Sequence, residues 1–337
     1  MTRLRHLAPF ALGALLLAGC GTATGTTDAG AATTDTTTTD TTATDDTATP
    51  ATETSVTITD SQDREVEVPT NPETVVVMDW SAIRTLTDLG VEVDAVPQSV
   101  GRLPEDLAAY ADATTVGTVF EPDYEAIAAI EPDLVIVGSR SGTPEVVAEF
   151  EKFAPVIDMS VRATDPADTF DATTERVVQL GSIFGLEDEA TDLMADLEAQ
   201  IAEVRAEAAD AGSAMVVQVS DGTVAAFGPG SRFSQVYSDF GFAATQAPIE
   251  DGGSHGEEIS QEFFVQYNPG VLFVLDRAKA IGEDQTPALD ILNNGLVGTT
   301  DAAKNDRIVE IDGFAWYLAS SAPSSWQTMV DDVRTAL

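Results

Sequence analysis

The sequence predicts an α/β protein of two lobes, each a central sheet covered by helices, joined by a helical connector and enclosing a ligand cleft. Three observations predict it. Apolar strand-like runs alternate with helical segments in two separate blocks, the pattern of parallel or mixed sheets covered on both faces. Between the blocks, from about Asp165 to Gly185 and again from Glu187 to Ala211, helical periodicity and strong helix formers run without a strand signal. Both blocks also repeat one spacing: "EAIAAIEPDLVIVGSR" carries Glu125, Pro132 and Arg140, and "EFFVQYNPGVLFVLDR" carries Glu262, Pro269 and Arg277 at the same intervals.

Taken in order, the chain opens on a segment that does not belong to the folded protein. Met1 to His6 is basic and Pro9 to Ala18 is an apolar core too short to span a bilayer, so residues 1–19 read as a secretory signal. Leu17, Ala18, Gly19 and Cys20 resemble the bacterial lipobox, in which cleavage before the cysteine leaves an N-terminus that carries lipid. Cys20 is the sole cysteine, so it has no disulfide partner within a monomer; the alternative is a secreted protein with a spare thiol. Residues 20–54 are almost wholly Thr, Ala, Asp and Gly, with nothing large to bury, and are expected to be a disordered tether. A coil of that length spans roughly 30 to 35 Å.

The first lobe, 55–164, starts with "SVTIT" and "REVEV" around the turn "DSQD", a hairpin. The strand "TVVVM" precedes the helical "SAIRTLTDLG", "YEAIAAIEP" leads as a helix into the strand "DLVIV", and "PEVVAEFEKF" and "PVIDM" supply the next helix and strand. The connector occupies 165–186. The second lobe, 187–337, begins with the long helix "EDEATDLMADLEAQIAEVRAEAADAG", whose closing glycine suits a C-cap. Strands "AMVVQVS", "TVAAFG", "VLFVLD" and "RIVEID" then alternate with the helical "RFSQVYSDFG", "QEFFVQYNPG" and "ALDILNNG".

Against 57 acidic residues the chain has only 16 basic ones, a net charge of −41. Nucleic acid and anionic membranes both demand a basic face, so neither is expected as a partner of the folded part. Later apolar runs are too short to cross a membrane, which leaves the lipid on Cys20 as the expected attachment. Catalytic signatures are missing: there is no G-x-S-x-G, Walker sequence or cysteine nucleophile, and "DFG" at Asp239 to Gly241 has no HRD-type loop. A hydrolase pairing His255 with a serine is the remaining enzymatic alternative. One histidine beyond the signal is too few for a bare zinc or manganese receptor.

Where positive charge is so scarce, its placement matters. Ligands of such sheets bind beyond the carboxyl ends of the strands, where Arg140 and Arg277 stand, and two guanidinium forks there fit an anion. The alternative for each is an ion pair with a neighbouring carboxylate, Asp276 foremost. Arg232 in "FGPGSRF" follows a Gly-Pro-Gly turn at the expected start of a helix, where backbone N–H groups would add to its attraction for an anion. His255 in "EDGGSHGEEIS" lies in a loop and by spacing alone reads more readily as a surface residue than as a ligand. Tyr317 in "DGFAWYLASS" follows a strand near the same edge, where a tyrosine more often packs in the core or rim than binds metal.

From about Val56 to its end the chain resembles the substrate-binding lipoproteins of ABC-type importers for ferric siderophores, the class in which a long connecting helix joins two lobes. The stretches "SRF", "SHGEEIS", "LFVLDRAKA" and "WYLASS", in that order, are most similar to the branch that binds ferric catecholates and petrobactin-like siderophores. The resemblance implies that Arg140, Arg232 and Arg277 hold the anionic catecholate groups. It implies that His255 and Tyr317 complete the coordination of iron where the siderophore leaves positions open, and that Glu125 and Glu262 dock onto basic pockets of the membrane permease. Iron(III) is then cargo within a siderophore complex, no intrinsic cofactor is expected, and the protein is a monomer anchored by lipid on the outer face of the cytoplasmic membrane. A cobalamin or haem receptor of the same fold is the alternative, but neither needs three arginines together with the "SHG" loop. The chemistry agrees with the resemblance. A ferric catecholate is a compact, multiply charged anion whose desolvation arginine forks offset, a phenolate from Tyr317 is a hard donor, and His255 is a borderline one.

Overall fold

The computed structural model describes residues 55–162, 165–249 and 255–337. The expected signal over 1–19, Cys20 and the tether to residue 54 lie outside the described residues, as do residues 250–254 just before His255. The described chain opens with the antiparallel hairpin of β1 (Ser55–Thr59) and β2 (Glu65–Pro69). The first lobe continues with β3 (Val75–Val77), α1 (Trp80–Asp88), β4 (Ala95–Val96), β5 (Thr114–Thr115), α2 (Tyr124–Ile130), β6 (Leu134–Val137), α3 (Pro144–Phe150) and β7 (Val156–Asp158). Its sheet is parallel throughout, in the order β5-β4-β3-β6-β7.

Two helices follow, α4 (Thr169–Ile183) and α5 (Glu187–Ala208), separated by a turn with Gly185 at φ +68°. The second lobe runs β8 (Ser213–Ser220), β9 (Thr223–Phe227), α6 (Gln235–Ser238), β10 (Ala243–Ala244), β11 (Glu257–Glu258), α7 (Gln261–Tyr267), β12 (Val271–Asp276) and α8 (Arg277–Ala280). It closes with α9 (Ala288–Leu292), α10 (Asp301–Lys304), β13 (Ile308–Ile311), a π-turn at Phe314–Leu318 and α11 (Pro323–Thr335). The sheet order is β11-β9-β8-β12-β13, mixed, with β8, β12 and β13 parallel and β10 added beside β8.

Burial explains why these runs became central strands. In β12 every residue is buried, and alternate side chains enter different cores: Val271, Phe273 and Leu275 on one face, Leu272 and Val274 on the other. Strand β6 divides in the same way, Leu134 and Ile136 against Val135 and Val137. Each such side chain, fully removed from water, contributes about 1.5–3 kcal/mol, and a strand that buries both faces needs helices on both. Helices α2 and α3 cover one face of the first sheet and α1 the other; α7, α9 and α10 cover one face of the second, α5 and α11 the other. Helix α4 belongs to both lobes, giving Phe170 and Val177 to the second-lobe core and Leu180 and Ile183 to the first.

The repeated spacing has a concrete cause. Helix α2 ends on Glu131 at φ +53° and α7 on Asn268 at φ +35°, left-handed C-caps that stop the helix one residue before Pro132 and Pro269. A buried strand follows in each case.

Three local expectations change. "RFSQVYSDFG" is helical only over Gln235–Ser238, so Arg232 stands in a turn and not at a helix start. The two-residue strands β4, β5, β10 and β11 were not anticipated, because so short a pairing leaves no periodicity. Helix α11 was also unanticipated, although Pro323 at its first turn and Trp326, Met329, Val330 and Val333 at helical spacing announce it.

Candidate functional site

The carboxyl ends of β6 and β12 lead to Arg140 and Arg277, and the π-turn after β13 joins them. That turn sits at the seam between the lobes: Ala315 and Trp316 pack into the second-lobe core, Phe314 and Leu318 into the first, and Tyr317 against both. A single π-turn is a device for turning a side chain and a carbonyl off the regular helix path. Asp332 on α11 fixes the turn, its carboxylate accepting from Trp316 Nε1 and from the Asp312 backbone N–H, each at 2.8 Å.

Three arginines converge on Tyr317. From the first lobe, Arg140 donates through Nη2 to the Tyr317 carbonyl at 2.7 Å and through Nη1 to the Leu318 carbonyl at 2.9 Å. Arg232, from the turn after β9, donates to the same Tyr317 carbonyl at 3.0 Å and lies over the ring at 4.4 Å from its centroid. Arg277, the first residue of α8, donates through Nε to the Tyr317 hydroxyl at 3.2 Å. None of the nine ion pairs among the described residues involves Arg140, Arg232 or Arg277. Asp276 is not the partner of Arg277, because its carboxylate is taken by the backbone N–H groups of Lys279 and Ala288, both at 2.9 Å.

Like charges are thus held side by side without neutralisation by contact. Loss of hydration, and then the neighbouring charge of Arg140, hold the Arg232 pKa below the ordinary arginine value, although the residue as a whole is exposed. Such an arrangement can receive an anion: positioned donors of like charge repel one another, and an incoming negative group relieves that repulsion.

Arg140 is placed by a hydrogen-bonded, closely packed loop. Ser141 Oγ accepts from the Gly138 N–H at 3.0 Å and donates to the Met78 carbonyl at 2.8 Å. Gly138 and Gly142 must be glycine, since a Cβ at 138 would run into the Asp79 carboxylate and one at 142 would lie 2.7 Å from Asp158 Oδ1. The hairpin turn braces this loop from below: Gln62 Nε2 donates to the Gly142 carbonyl at 3.2 Å and to Asp158 at 3.1 Å, while Asp60 accepts from Arg64 and from the Asp158 N–H. Burial pushes the Asp79 carboxyl up, opposed by its N-cap bonds and by the charge of Arg140. Asp79 was missed in the sequence; the N-cap pattern of an acid before "WSAIRTL" was the available signal.

The other candidates are less closely tied. His255 is exposed and begins the short segment leading to β11, which pairs with β9 two strands from Arg277. A Cβ on the following Gly256 would lie 2.8 Å from the Phe227 ring, and Phe227 packs edge-on against Phe233, next to Arg232. Glu125 and Glu262 are both exposed, each the second residue of its helix, on α2 and α7. A cavity of about 1340 Å3 lies elsewhere along the lobe seam, lined by Trp80, Arg102, Tyr110, Lys279 and Phe314 among others, and none of the five candidate ligands borders it. Enclosure and charge therefore point to different places: the cavity has Arg102 and Lys279 on its wall, and the more open cluster gathers Arg140, Arg232 and Arg277. Among the described residues no three His, Cys, Asp or Glu side chains group as a metal site, and no helix is long and apolar enough to cross a membrane.

A family model described as periplasmic binding protein matches residues 75–314. The chain is 33% identical over 288 residues to the petrobactin-binding protein YclQ of Bacillus subtilis strain 168, covering 84% of this chain and 88% of that protein. The crystal structure of YclQ matches with a TM-score of 0.77, covering 84% of this chain and 98% of that one. The periplasmic catecholate-siderophore binding protein VctP of Vibrio cholerae matches with a TM-score of 0.76 at 33% identity, covering 83% of this chain and 99% of that one. The ferric-anguibactin-binding protein FatB of Vibrio anguillarum is 28% identical over 276 residues, covering 79% of this chain and 83% of that protein.

Proposed function

The chain belongs to the periplasmic binding protein family, and on that premise we propose that it is an extracytoplasmic receptor that captures an anionic ferric siderophore, catecholate or petrobactin-like, and delivers it to an ABC importer. The observation that carries this reading is the convergence of Arg140, Arg232 and Arg277, from three elements of two lobes, on one tyrosine without an ion-pair partner among the described residues. Each guanidinium exchanges a neutral carbonyl or hydroxyl acceptor for a charged catecholate oxygen, and such charge-assisted bonds are worth about 1.5–3 kcal/mol apiece.

In this reading the carrier supplies no metal site of its own. Iron arrives already chelated, and Tyr317 and His255 fill positions that a tetradentate siderophore leaves open. The connector 165–186, with helix α4 inside it, joins the lobes, Cys20 holds the protein to the membrane by lipid, the monomer is the working unit, and Glu125 and Glu262 dock one on each half of the permease. Their place at the second position of matching helices in the repeat supports that pairing.

Tryptophan fluorescence titration tests the proposal with ferric petrobactin, a hexadentate ferric tris-catecholate, a ferric hydroxamate, cobalamin and haem. Tight quenching is expected with the catecholates alone. In Tyr317→Phe and His255→Ala, a tetradentate bis-catecholate complex should lose affinity and the hexadentate complex should not. Selective binding of cobalamin or haem would move the chain to the alternative receptor class.

A further inference from the structure

The π-turn that carries Tyr317 is gripped from the first lobe by one face of α1. Its defining bond runs from the Ala319 N–H to the Phe314 carbonyl at 2.8 Å, and Tyr317 lies between those two residues. Arg84, a buried residue of α1, reaches both ends of that bond. Its guanidinium lies over the Phe314 ring, 5.6 Å from the centroid, where Trp80, one turn earlier on α1, also packs edge-on. Through Nη1 it donates to Ser325 Oγ at 2.9 Å, and that hydroxyl donates in turn to the Ala319 carbonyl. Its Nε donates to Asp106, between β4 and β5, at 2.8 Å, which fixes the guanidinium plane. Ser81 and Asp88, on the same face of α1 at helical spacing, accept from the Ser321 N–H at 3.3 Å and the Ser324 N–H at 2.9 Å. Together these contacts bracket Tyr317.

We infer that Arg84 is the positioning residue of this turn: by fixing both ends it sets where the Tyr317 hydroxyl stands, and with it how tightly the cleft binds chelates that leave iron(III) a position open. The inference rests on the reading of the cleft as a ferric-chelate site. A buried ion pair adds little stability over apolar packing of the same volume, so position is what this one contributes. Arginine suits the task, since its guanidinium is charged at every working pH and its planar fork holds two acceptors at fixed angles. Groups that orient a metal ligand from behind matter about 10- to 100-fold for affinity. A hexadentate chelate fills iron's coordination sphere and feels Arg84 only through the Tyr317 and Leu318 carbonyls, which hold Arg140 and Arg232.

Arg84→Met keeps the apolar stem and removes both donors, and Ser325→Ala breaks the link to Ala319 alone. Fluorescence titration compares a ferric tetradentate bis-catecholate with a ferric hexadentate tris-catecholate, with folding checked by circular dichroism. Both variants should bind the tetradentate chelate about tenfold more weakly and the hexadentate one about two- to threefold more weakly. In a Tyr317→Phe background, Arg84→Met should cost the two chelates equally. Leu292→Ala, in the core under α9, removes stability at a distance from the turn and should leave both affinities unchanged. If Arg84→Met does not fold, Ser325→Ala carries the same comparison. Unchanged tetradentate affinity in the folded variants, an undiminished tenfold loss in the Tyr317→Phe background, or the same loss in Leu292→Ala overturns the inference. A wild-type protein that binds neither chelate overturns the reading of the cleft, and this inference with it.

Discussion

The two lobes use one segment twice and end it differently. In the first lobe β6 stops at Val137 and Arg140 follows on a loop framed by Gly138 and Gly142. In the second, β12 runs to Asp276 and Arg277 is at once the first residue of α8. The supports differ accordingly. Arg140 depends on a polar lattice of Asp79, Asp158, Asp60 and the hairpin turn, drawn from positions up to about a hundred residues apart. Arg277 depends on a local helix cap, with Asp276 accepting from Lys279 and Ala288. The comparison teaches that equal spacing delivers a side chain to the cleft edge, while the neighbouring residues decide where it points and what holds it there.

The lobes also contribute unequally, one arginine from the first against two arginines and a tyrosine from the segments of the second. Arginine removal tests that asymmetry and carries the largest expected effect. Arg232→Ala and Arg277→Ala should each weaken ferric-catecholate binding by about ten- to hundredfold, the value of one charge-assisted hydrogen-bond set. Arg140→Ala should fall within the same range alone, and the second-lobe double variant should be weaker than any single one. Equal affinity of the double variant and wild type in titration would remove the asymmetry and the receptor with it.

Next in size comes the difference in support. Gly138→Ala drives a methyl group into the Asp79 carboxylate and should lower stability by about 1–3 kcal/mol in denaturant unfolding. Gly185→Ala, at a connector turn with nothing within 4 Å of the added Cβ, should lose only what its φ of +68° imposes. A Gly138→Ala variant as stable as wild type would show that the loop around Arg140 is not framed as described.

The smallest effect concerns acids of opposite behaviour in the two lobes. Hydrogen bonds from Arg64 and the backbone outweigh burial at Asp60 and hold its carboxyl below the usual range, so the stability it contributes is lost only as pH falls through that lowered value. Burial pushes Asp239 and Asp332 up to about 6. Folded, these two bind protons more tightly than unfolded, so their ionisation disfavours the fold above about pH 6 and ceases to do so as pH falls toward their ordinary 3.8. Lowering the pH from about 7 to about 5 should raise the melting temperature, and Asp239→Asn with Asp332→Asn should flatten that slope. A slope unchanged in the double variant would show that other carboxylates carry it.

Much of the frame was legible because it depends on local chemistry. Apolar runs such as "VLFVLD", short and bounded by turn residues, suit strands buried on both faces, and Pro132 and Pro269 suit the stop of the helix before them. The two-lobe layout and the arginine-ended strands follow from such signals, whereas Glu125 and Glu262 are singled out by the repeated spacing and the resemblance. Where the local signal is weak, the reading fell short: β4 and β5 exist because β3 offers them an edge, and Arg232 stands in a turn where a helix was expected.

The sequence by itself determined the α/β class, the division into two blocks and the delivery of Arg140 and Arg277 to strand ends, because periodicity and helix-stop chemistry act over a few residues. Only the tertiary structure decided that Arg140, Arg232 and Arg277 meet at the Tyr317 peptide, ring and hydroxyl, and that Asp276 is occupied elsewhere while Asp79 lies against Gly138. Those facts depend on a π-turn packed between two cores and on strands brought alongside from distant positions. Proximity of that kind is set by packing, and no spacing along the chain records it.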